Sequence, residues 1–162
     1  MTQKQRWKPA ATVAAVIEQE GRFLLVEEDT ADGLRLNNPA GHLDPGESPQ
    51  QGVIRETLEE TARHFTPEAF LGVFMSAHRD TTYLRLAFCG SVGEAIEGQA
   101  LDEGIARTLW MTADELRACP ERHRTPLLMA CIDAYLAGRR LPLEALYTHD
   151  SALSPRLGQS GA

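Results

Sequence analysis

The chain has 162 residues, and its 16 basic and 23 acidic side chains give a formal net charge of −7. This length corresponds to one ordinary domain, and a hydrophobic content of 43% is enough to build a buried core. The acidic balance excludes a protein that binds nucleic acid polymers along their phosphate backbone, and the hydrophobic content excludes a disordered chain. We therefore expect one globular domain.

The segment before position 20 combines basic side chains with an apolar stretch, as a signal peptide does. The apolar stretch, residues 10–17, is short and leads directly into two glutamates without a small-residue cleavage site. No segment approaches the roughly 20 apolar residues that a membrane-spanning helix needs. Three widely spaced cysteines, Cys89, Cys119 and Cys131, favour free thiols in a reducing compartment. These features predict a cytoplasmic protein without a membrane partner.

The first third of the chain alternates apolar and polar residues in short runs that turn residues separate. This alternation is typical of strands, and Glu20 followed by Gly21 is typical of a tight turn. Pro39 stops the extended segment that precedes it. In chain order, we predict strands at residues 12–17 and 22–26, a loop at 29–33, an extended segment at 34–38 and a loop at 41–47.

The next residues predict the start of a helix, and three of them support this prediction. Ser48 can cap the helix, and Pro49 suits the first helical position. Gln51 completes a capping box with Ser48. The helical spacing of apolar residues then predicts a helix that runs as far as Arg63.

The second half of the chain predicts three strands and two helices. Thr112 begins a short helix with Glu115 as its capping partner, and a last helix begins at Thr125 and stops at Gly138. Strands alternate with helices and form hairpin-like pairs, which predicts an α+β fold, an α/β/α sandwich around a mixed sheet. The predicted strands cover residues 70–75, 83–91 and 106–111, and a single domain at residues 1–149 precedes a loose tail at residues 150–162.

One face of the first predicted helix concentrates charge. Alone, the glutamates on this face favour an ordinary solvated surface with ion pairs between neighbouring turns. The alternative is a site for a hard cation such as Mg²⁺, which takes oxygen ligands. Gly41, in the loop before the helix, would let a backbone carbonyl approach the carboxylates. The residues that share an arc of about 140° on this helix are Arg55, Glu56, Glu59 and Glu60.

The loop and the helix together resemble the Nudix box, G-x5-E-x7-R-E-U-x-E-E-x-G-U, in which U is a bulky apolar residue. The chain carries all six glycine, glutamate and arginine positions up to the paired glutamates, with both long gaps at the required length. A match of this extent favours the cation site over the solvated face. The matching residues are Gly41, Glu47, Arg55, Glu56, Glu59 and Glu60.

Three positions depart from the box. Thr57 replaces an apolar residue, Ala62 replaces a glycine, and Arg63 replaces a second apolar residue. Glycine is the usual residue where a chain leaves a helix in a left-handed conformation. Because alanine favours the helical conformation, we expect the helix to continue past Ala62 and to end before Pro67.

The resemblance implies a Nudix fold and a phosphohydrolase that requires Mg²⁺, with Mn²⁺ as a substitute. It makes Glu56 our first choice for the base that activates water, with Glu59 as the other catalytic glutamate. Arg55 would orient these carboxylates, and Glu47 would support Arg55 from the loop. The metal ligands that the resemblance implies are Glu56, Glu59, Glu60 and the carbonyl of Gly41.

Outside the box, residues 38–43, Trp110 and the segment from 126 to 144 resemble the NudJ-type phosphatases of this family. Arg85 also matches the pattern of these relatives, which implies that it binds a phosphate of the substrate, and Asn37 and Tyr83 are further candidates for substrate contacts. Leu36 stands where these relatives tend to carry tryptophan, which predicts that the organic group of the substrate is held loosely.

Many relatives supply one more carboxylate six residues before the tryptophan. Gly104 occupies that position here, with Asp102 and Glu103 beside it. Of these two, we predict that Glu103 takes the supporting role.

The function that the resemblance implies is hydrolysis of phosphoanhydride bonds in nucleoside di- and triphosphates and thiamine-pathway pyrophosphates, with release of orthophosphate. The partner is therefore a small phosphate ester or anhydride, and no nucleic acid polymer is expected. Two alternatives stay open: a pyrophosphatase for ADP-sugars or dinucleoside polyphosphates, and a non-catalytic nucleotide-binding regulatory domain. The oligomeric state also stays open, and a homo-oligomer is compatible with the sequence.

Overall fold

The computed structural model describes residues 5–153 of the chain, which form seven strands and four α-helices. None of these helices is long and apolar enough to cross a membrane. The strands are β1 (Ala10–Gln19), β2 (Arg22–Thr30), β3 (Gly33–Asn37), β4 (Ala40–His42), β5 (Phe65–His78), β6 (Thr81–Val92) and β7 (Ile105–Thr112), and the helices are α1 (Pro49–Thr61), α2 (Ala113–Arg117), α3 (Leu127–Leu136) and α4 (Asp150–Leu153).

The strands form one mixed sheet in the order β3-β2-β1-β6-β5, with β4 paired to β1 and β7 paired to β2. Strands β1 and β6 run parallel, and the other pairs are antiparallel. Two separate hydrophobic clusters flank the sheet. One includes Leu128 and Ile132 of α3, and the other includes Val53 of α1. The predicted α/β/α sandwich around a mixed sheet is therefore confirmed.

The hairpin between β1 and β2 forms at the predicted turn. Glu20 and Gly21 both have positive φ angles, 51° and 78°, as a two-residue turn matched to the twist of the strands requires. Strand β2 continues to Thr30, so the loop predicted at residues 29–33 is shorter than expected. The longer pairing arises because β3 adds beside β2 and satisfies its backbone groups as far as the pair formed by Thr30 and Gly33.

Strand β4 replaces the first part of the loop predicted at residues 41–47. Gly41 and His42 pair with Val13 and Thr12 of β1. A strand of three residues carries too little alternation to be recognised locally, and its conformation depends on the backbone groups that β1 offers. This pairing fixes the backbone of Gly41 directly beside helix α1, where the candidate site lies.

Helix α1 begins as predicted. The Ser48 side chain accepts a hydrogen bond from the Gln51 amide at 3.2 Å, and the Gln51 side chain accepts one from the Ser48 amide at 2.8 Å. The end was predicted wrongly: the helix stops at Thr61, and Ala62 is left-handed with φ 55° and ψ 30°. The chain must reverse here because Phe65, which is buried, already belongs to β5.

Replacing Ala62 with glycine is expected to stabilise the protein. The left-handed conformation costs an L-residue about 1–2 kcal/mol, which exceeds the roughly 0.8 kcal/mol lost with one buried methyl group. Ala62→Gly should therefore raise the melting temperature by about 1–3 °C, as measured by thermal denaturation. Ala118→Gly is the matched control, because Ala118 caps α2 in a right-handed conformation and should lose stability. A lower melting temperature for Ala62→Gly would contradict this account.

The C-terminal end of the domain is partly described. Helix α3 begins at Leu127, and Gly138 follows its end with a φ of 83°. Residues 150–153 of the predicted loose tail form the single turn of α4. The rest of that tail, residues 154–162, lies outside the described residues.

Candidate active site

Three carboxylates, of which only that of Glu56 is buried, converge on one side of α1. Oxygen atoms of Glu56, Glu59 and Asp102 all lie within 4.8 Å of one another. The two glutamates are one helical turn apart, and Asp102 comes from the loop before β7. The Asp102 amide donates a hydrogen bond to the Glu59 carbonyl at 2.9 Å, which holds that loop against the helix. The arrangement offers several oxygen ligands in one place.

The backbone of β4 approaches this group so closely that only glycine fits. A Cβ atom built on Gly41 would lie 2.0 Å from the carboxyl carbon of Glu56. Any side chain at this position would displace the Glu56 carboxylate. The donors are all oxygen, and a hard cation such as Mg²⁺ accepts oxygen ligands from carboxylates and backbone carbonyls. The residues present therefore fit the metal that the sequence implied.

Arg55 connects the helix to the preceding loop. Its guanidinium donates to both carboxylate oxygens of Glu47, at 2.7 and 3.0 Å. The same group donates to Glu56 at 2.8 Å and to Glu59 at 3.1 Å. A further bond reaches the His42 carbonyl at 3.1 Å. The guanidinium therefore holds three carboxylates in fixed relative positions, as its planar shape allows.

Neighbouring charges and burial shift the pKa values of the site's acids in opposite directions. The Arg55 guanidinium lowers the pKa of Glu47, mainly through their hydrogen bonds. Burial raises the pKa of Glu56, although Arg55 opposes this shift. The neighbouring carboxylates of Glu59 and Asp102 raise it further. A bound cation would remove this repulsion, because opposite charge favours the ionised form.

Glu60 occupies a more enclosed position than the other glutamates. It is buried, and its carboxylate accepts a hydrogen bond from the Ala40 amide at 3.3 Å. Burial, with Glu28 nearby, raises the pKa of Glu60 to about 9. Within the described residues, Glu60 does not belong to the group formed by Glu56, Glu59 and Asp102. Its role as a metal ligand stays a prediction.

A cavity of about 470 Å³ opens beside Gly41 and His42. Arg85 of β6 lines it and is only 6% exposed. Its guanidinium donates to the side-chain oxygens of Asn37 and Asn38, each at 3.3 Å. Within the described chain, its Nε atom and the Asn38 amide nitrogen have no hydrogen-bond partner. The positive charge of Arg85 in the lining makes this part of the cavity suitable for an anion.

A family model of the NUDIX domain matches residues 7–129. The chain belongs to this family. It is 36% identical over 142 residues to the curated phosphatase NudJ of Escherichia coli and equally to that of Shigella flexneri, covering 86% of this chain and 92% of each relative. The structure also resembles a NUDIX hydrolase from Nitrosomonas europaea, with a TM-score of 0.85 and 49% identity over 88% of this chain and 99% of that one. The protein is accordingly a Nudix hydrolase.

The predicted site residues lie in two places, the carboxylate group on α1 and the cavity beside it. The box residues Arg55, Glu56 and Glu59 meet at the carboxylate group, and Glu47 accepts hydrogen bonds from Arg55. Tyr83 lines the cavity together with the substrate-binding candidates Arg85 and Asn37. The two places adjoin, because Gly41 belongs to the cavity lining and also contacts Glu56.

Two expectations about the surroundings of the Nudix box change in the structure. Leu36 is fully buried in the core, so it cannot touch a substrate. Asn37 and Asn38 are also buried and accept hydrogen bonds from Arg85, so this segment is fixed in place and gives no support to a loosely held organic group. Strand β3 inserts this segment between β2 and the 3₁₀ turn near Arg122, which the local sequence did not reveal.

The loop carboxylate that lies beside Glu56 and Glu59 is that of Asp102 rather than Glu103. Asp102 joins Glu56 and Glu59, whereas Glu103 is exposed and belongs to no such group in the described part of the chain. The sequence placed the position by counting back from Trp110. That count assumes a loop of fixed length. The hydrogen bond from the Asp102 amide to the Glu59 carbonyl instead fixes Asp102, two residues before Gly104, beside the helix.

Asp102→Asn is expected to weaken activity mainly at low metal concentration. The change removes one negative charge from the group while keeping the size of the side chain. We expect the Mg²⁺ concentration for half-maximal rate to rise about 10-fold, in line with the loss of one supporting ligand. A Mg²⁺ titration of the hydrolysis rate measures this. Glu103→Gln is the matched control and should leave the titration unchanged; the opposite ranking of the two variants would restore Glu103 to the site.

Proposed function

We propose that this Nudix hydrolase cleaves phosphoanhydride bonds in nucleoside di- and triphosphates and thiamine-pathway pyrophosphates, releases orthophosphate and requires Mg²⁺, with Mn²⁺ as a substitute. The observation that carries the proposal is the group of Glu56, Glu59 and Asp102 beside a cavity that contains the buried guanidinium of Arg85. The similarity to phosphatase NudJ supports the same reaction class.

The residues of α1 divide the work between binding and positioning. When bound, the metal supplies positive charge to phosphate oxygens and lowers the pKa of water. Glu56, Glu59 and Glu60, with the Gly41 carbonyl, would hold it, and Asp102 would add a ligand. Glu56 would also accept a proton from the attacking water. Arg55 keeps Glu56 and Glu59 in position through its hydrogen bonds.

The cavity would hold the part of the substrate that is not attacked. Arg85, which lines the cavity, would bind a phosphate oxygen through its guanidinium, and Asn37 accepts a hydrogen bond that keeps this group in place. Tyr83 lines the same cavity, 6.3 Å from the ring of His42, where an organic group can contact both rings. These contacts would bring the terminal phosphorus toward the carboxylates.

The first products from a nucleoside triphosphate test the proposal. Incubation with Mg²⁺ and separation of the nucleotides over time should show diphosphate first and monophosphate later, with orthophosphate released in each step. Monophosphate with pyrophosphate as first products would contradict terminal attack. Faster cleavage of ADP-sugars or dinucleoside polyphosphates would favour a pyrophosphatase, and no turnover of any of these would favour a regulatory domain.

We also propose a cytoplasmic location. In the described part of the chain, Cys89, Cys119 and Cys131 are all free thiols, two of them buried. Free thiols are typical of a reducing compartment. Fractionation of cells that express the protein, with an antibody as the readout, would test the location.

A further inference from the structure

The cavity beside the carboxylates is lined by more positive than negative side chains. Its lining contains four arginines and two carboxylates. One of these carboxylates, Glu28, is already engaged, because Arg124 lies 2.8 Å from it. The other, Asp32, is exposed in the turn between β2 and β3, so the arginines still outnumber the acids. The remaining arginines are Arg35, Arg79 and Arg85.

These three arginines have no carboxylate within 4.0 Å in the part of the chain that the structure describes. Arg35 donates instead to the neighbouring Leu34 carbonyl at 2.9 Å. Its cross-strand neighbour Glu28 forms an ion pair with Arg124 instead. Arg79 is exposed in the turn between β5 and β6. Guanidinium groups that share one cavity and have no carboxylate partner create a local positive potential.

The three arginines lie on different parts of the cavity wall. Arg85 is buried on β6, separated from β4 by β1 alone, since Thr12 pairs with both Arg85 and His42. Arg35 lies on β3, and Arg79 lies in the exposed turn. A substrate with its terminal phosphate at the carboxylates beside Gly41 and its next phosphate at Arg85 would leave its organic group in the rest of this cavity, whose wall carries Arg35 and Arg79.

We propose that the cavity selects substrates whose organic group carries a further anionic group, and that it disfavours a cationic organic group. The inference rests on the proposed function, since it concerns the part of the same substrate that is not cleaved. A phosphate or carboxylate on the organic group would pair with Arg35 or Arg79. A thiazolium ring would meet the same two guanidinium groups as like charges. Charge complementarity of this kind mainly sets specificity.

The test compares three diphosphates with Mg²⁺: adenosine 5′-diphosphate, the same nucleotide with an additional 3′-phosphate, and thiamine diphosphate. The additional phosphate is expected to raise kcat/KM about five-fold, mainly through KM, as one or two exposed ion pairs would. Thiamine diphosphate should have the lowest kcat/KM of the three. The preference should shrink in about 0.5 M salt, because salt screens exposed charges and does not change shape.

Variants separate charge from shape. The double variant Arg35→Gln, Arg79→Gln should remove the preference for the additional phosphate. Arg22→Gln is the matched control: Arg22 is a half-exposed arginine outside this cavity, paired with Glu115, and its loss should preserve the preference. Equal kcat/KM values for the two adenosine substrates, or a preference that survives in the double variant, would overturn the inference while leaving the proposed function intact.

Binding measurements distinguish a failure of the inference from a failure of the proposed function. Adenosine monophosphate and adenosine 3′,5′-bisphosphate can be titrated calorimetrically into the unmodified protein without any turnover. Tighter binding of the bisphosphate supports the inference even if no orthophosphate is released from any diphosphate, a result that would refute the proposed function alone. Equal affinities for the two ligands would overturn the inference.

Discussion

Glu56→Gln is expected to reduce turnover by about 10²–10³-fold while the domain stays folded. Glutamine keeps the size of the side chain beside Gly41, and its oxygen can still accept the hydrogen bond from Arg55. It lacks the negative charge that a metal ligand supplies and the basicity that activation of water requires. The measurements are the initial rate of orthophosphate release over a Mg²⁺ titration and circular dichroism of the variant.

Glu60→Gln should also lose activity, because the change removes the negative charge of a proposed metal ligand. Burial raises the pKa of Glu60 to about 9. Glutamine resembles the protonated form, so the fold should tolerate this change without a metal. Glu97→Gln, at an exposed position, serves as the control and should keep the parent rate. If Glu56→Gln and Glu60→Gln both hydrolysed substrate at near-parent rates with Mg²⁺ present, the metal site would be misassigned.

Replacing Arg55 is expected to affect both stability and activity. Arg55→Gln removes the hydrogen bonds to Glu47, Glu56 and Glu59 and leaves these carboxylates facing one another. Because Arg55 is partly exposed, we expect a loss of about 2 kcal/mol in the free energy of unfolding rather than the full penalty of a buried pair. As a positioning residue, Arg55 should also determine the apparent Mg²⁺ affinity, which a merely structural role would not alter.

The stability loss in Arg55→Gln should depend on pH. Arg55 lowers the pKa of Glu47 below its usual value of 4.5. A lowered carboxylate pKa stabilises the fold fully above the unfolded value, and this contribution disappears as pH falls through the folded value. Denaturant unfolding of parent and variant should therefore differ most above pH 4.5 and converge as the pH falls below that value. A constant difference across this range would contradict the role of the Glu47 pair.

A double variant tests whether Glu47 and Arg55 act together. If Glu47 stabilises the protein by holding Arg55, Glu47→Gln should cost little more once Arg55 is already glutamine. Additive losses would show that the two side chains act independently. The same cycle applied to kcat would report how far the loop contributes to catalysis through Arg55.

The sequence by itself determined the features that depend on neighbouring residues. Ser48, Pro49 and Gln51 predicted the start of α1 because a capping box closes within one turn of helix. The spacing of Arg55, Glu56 and Glu59 predicted one charged face because helical geometry repeats every 3.6 residues. The Nudix box was recognisable for the same reason, since its residues lie on one continuous loop and helix.

Tertiary structure decided the features that depend on distant partners. Ala62 becomes left-handed because the chain must turn into β5, although alanine alone favours continuing the helix. Asp102 replaces Glu103 at the carboxylates because its amide bonds to the Glu59 carbonyl, 43 residues earlier in the chain. Leu36 is buried because β3 packs it into the core. Local propensities are worth about 1 kcal/mol or less per residue, and burial of one large side chain is worth about 1.5–3 kcal/mol, so long-range packing prevails where the two conflict.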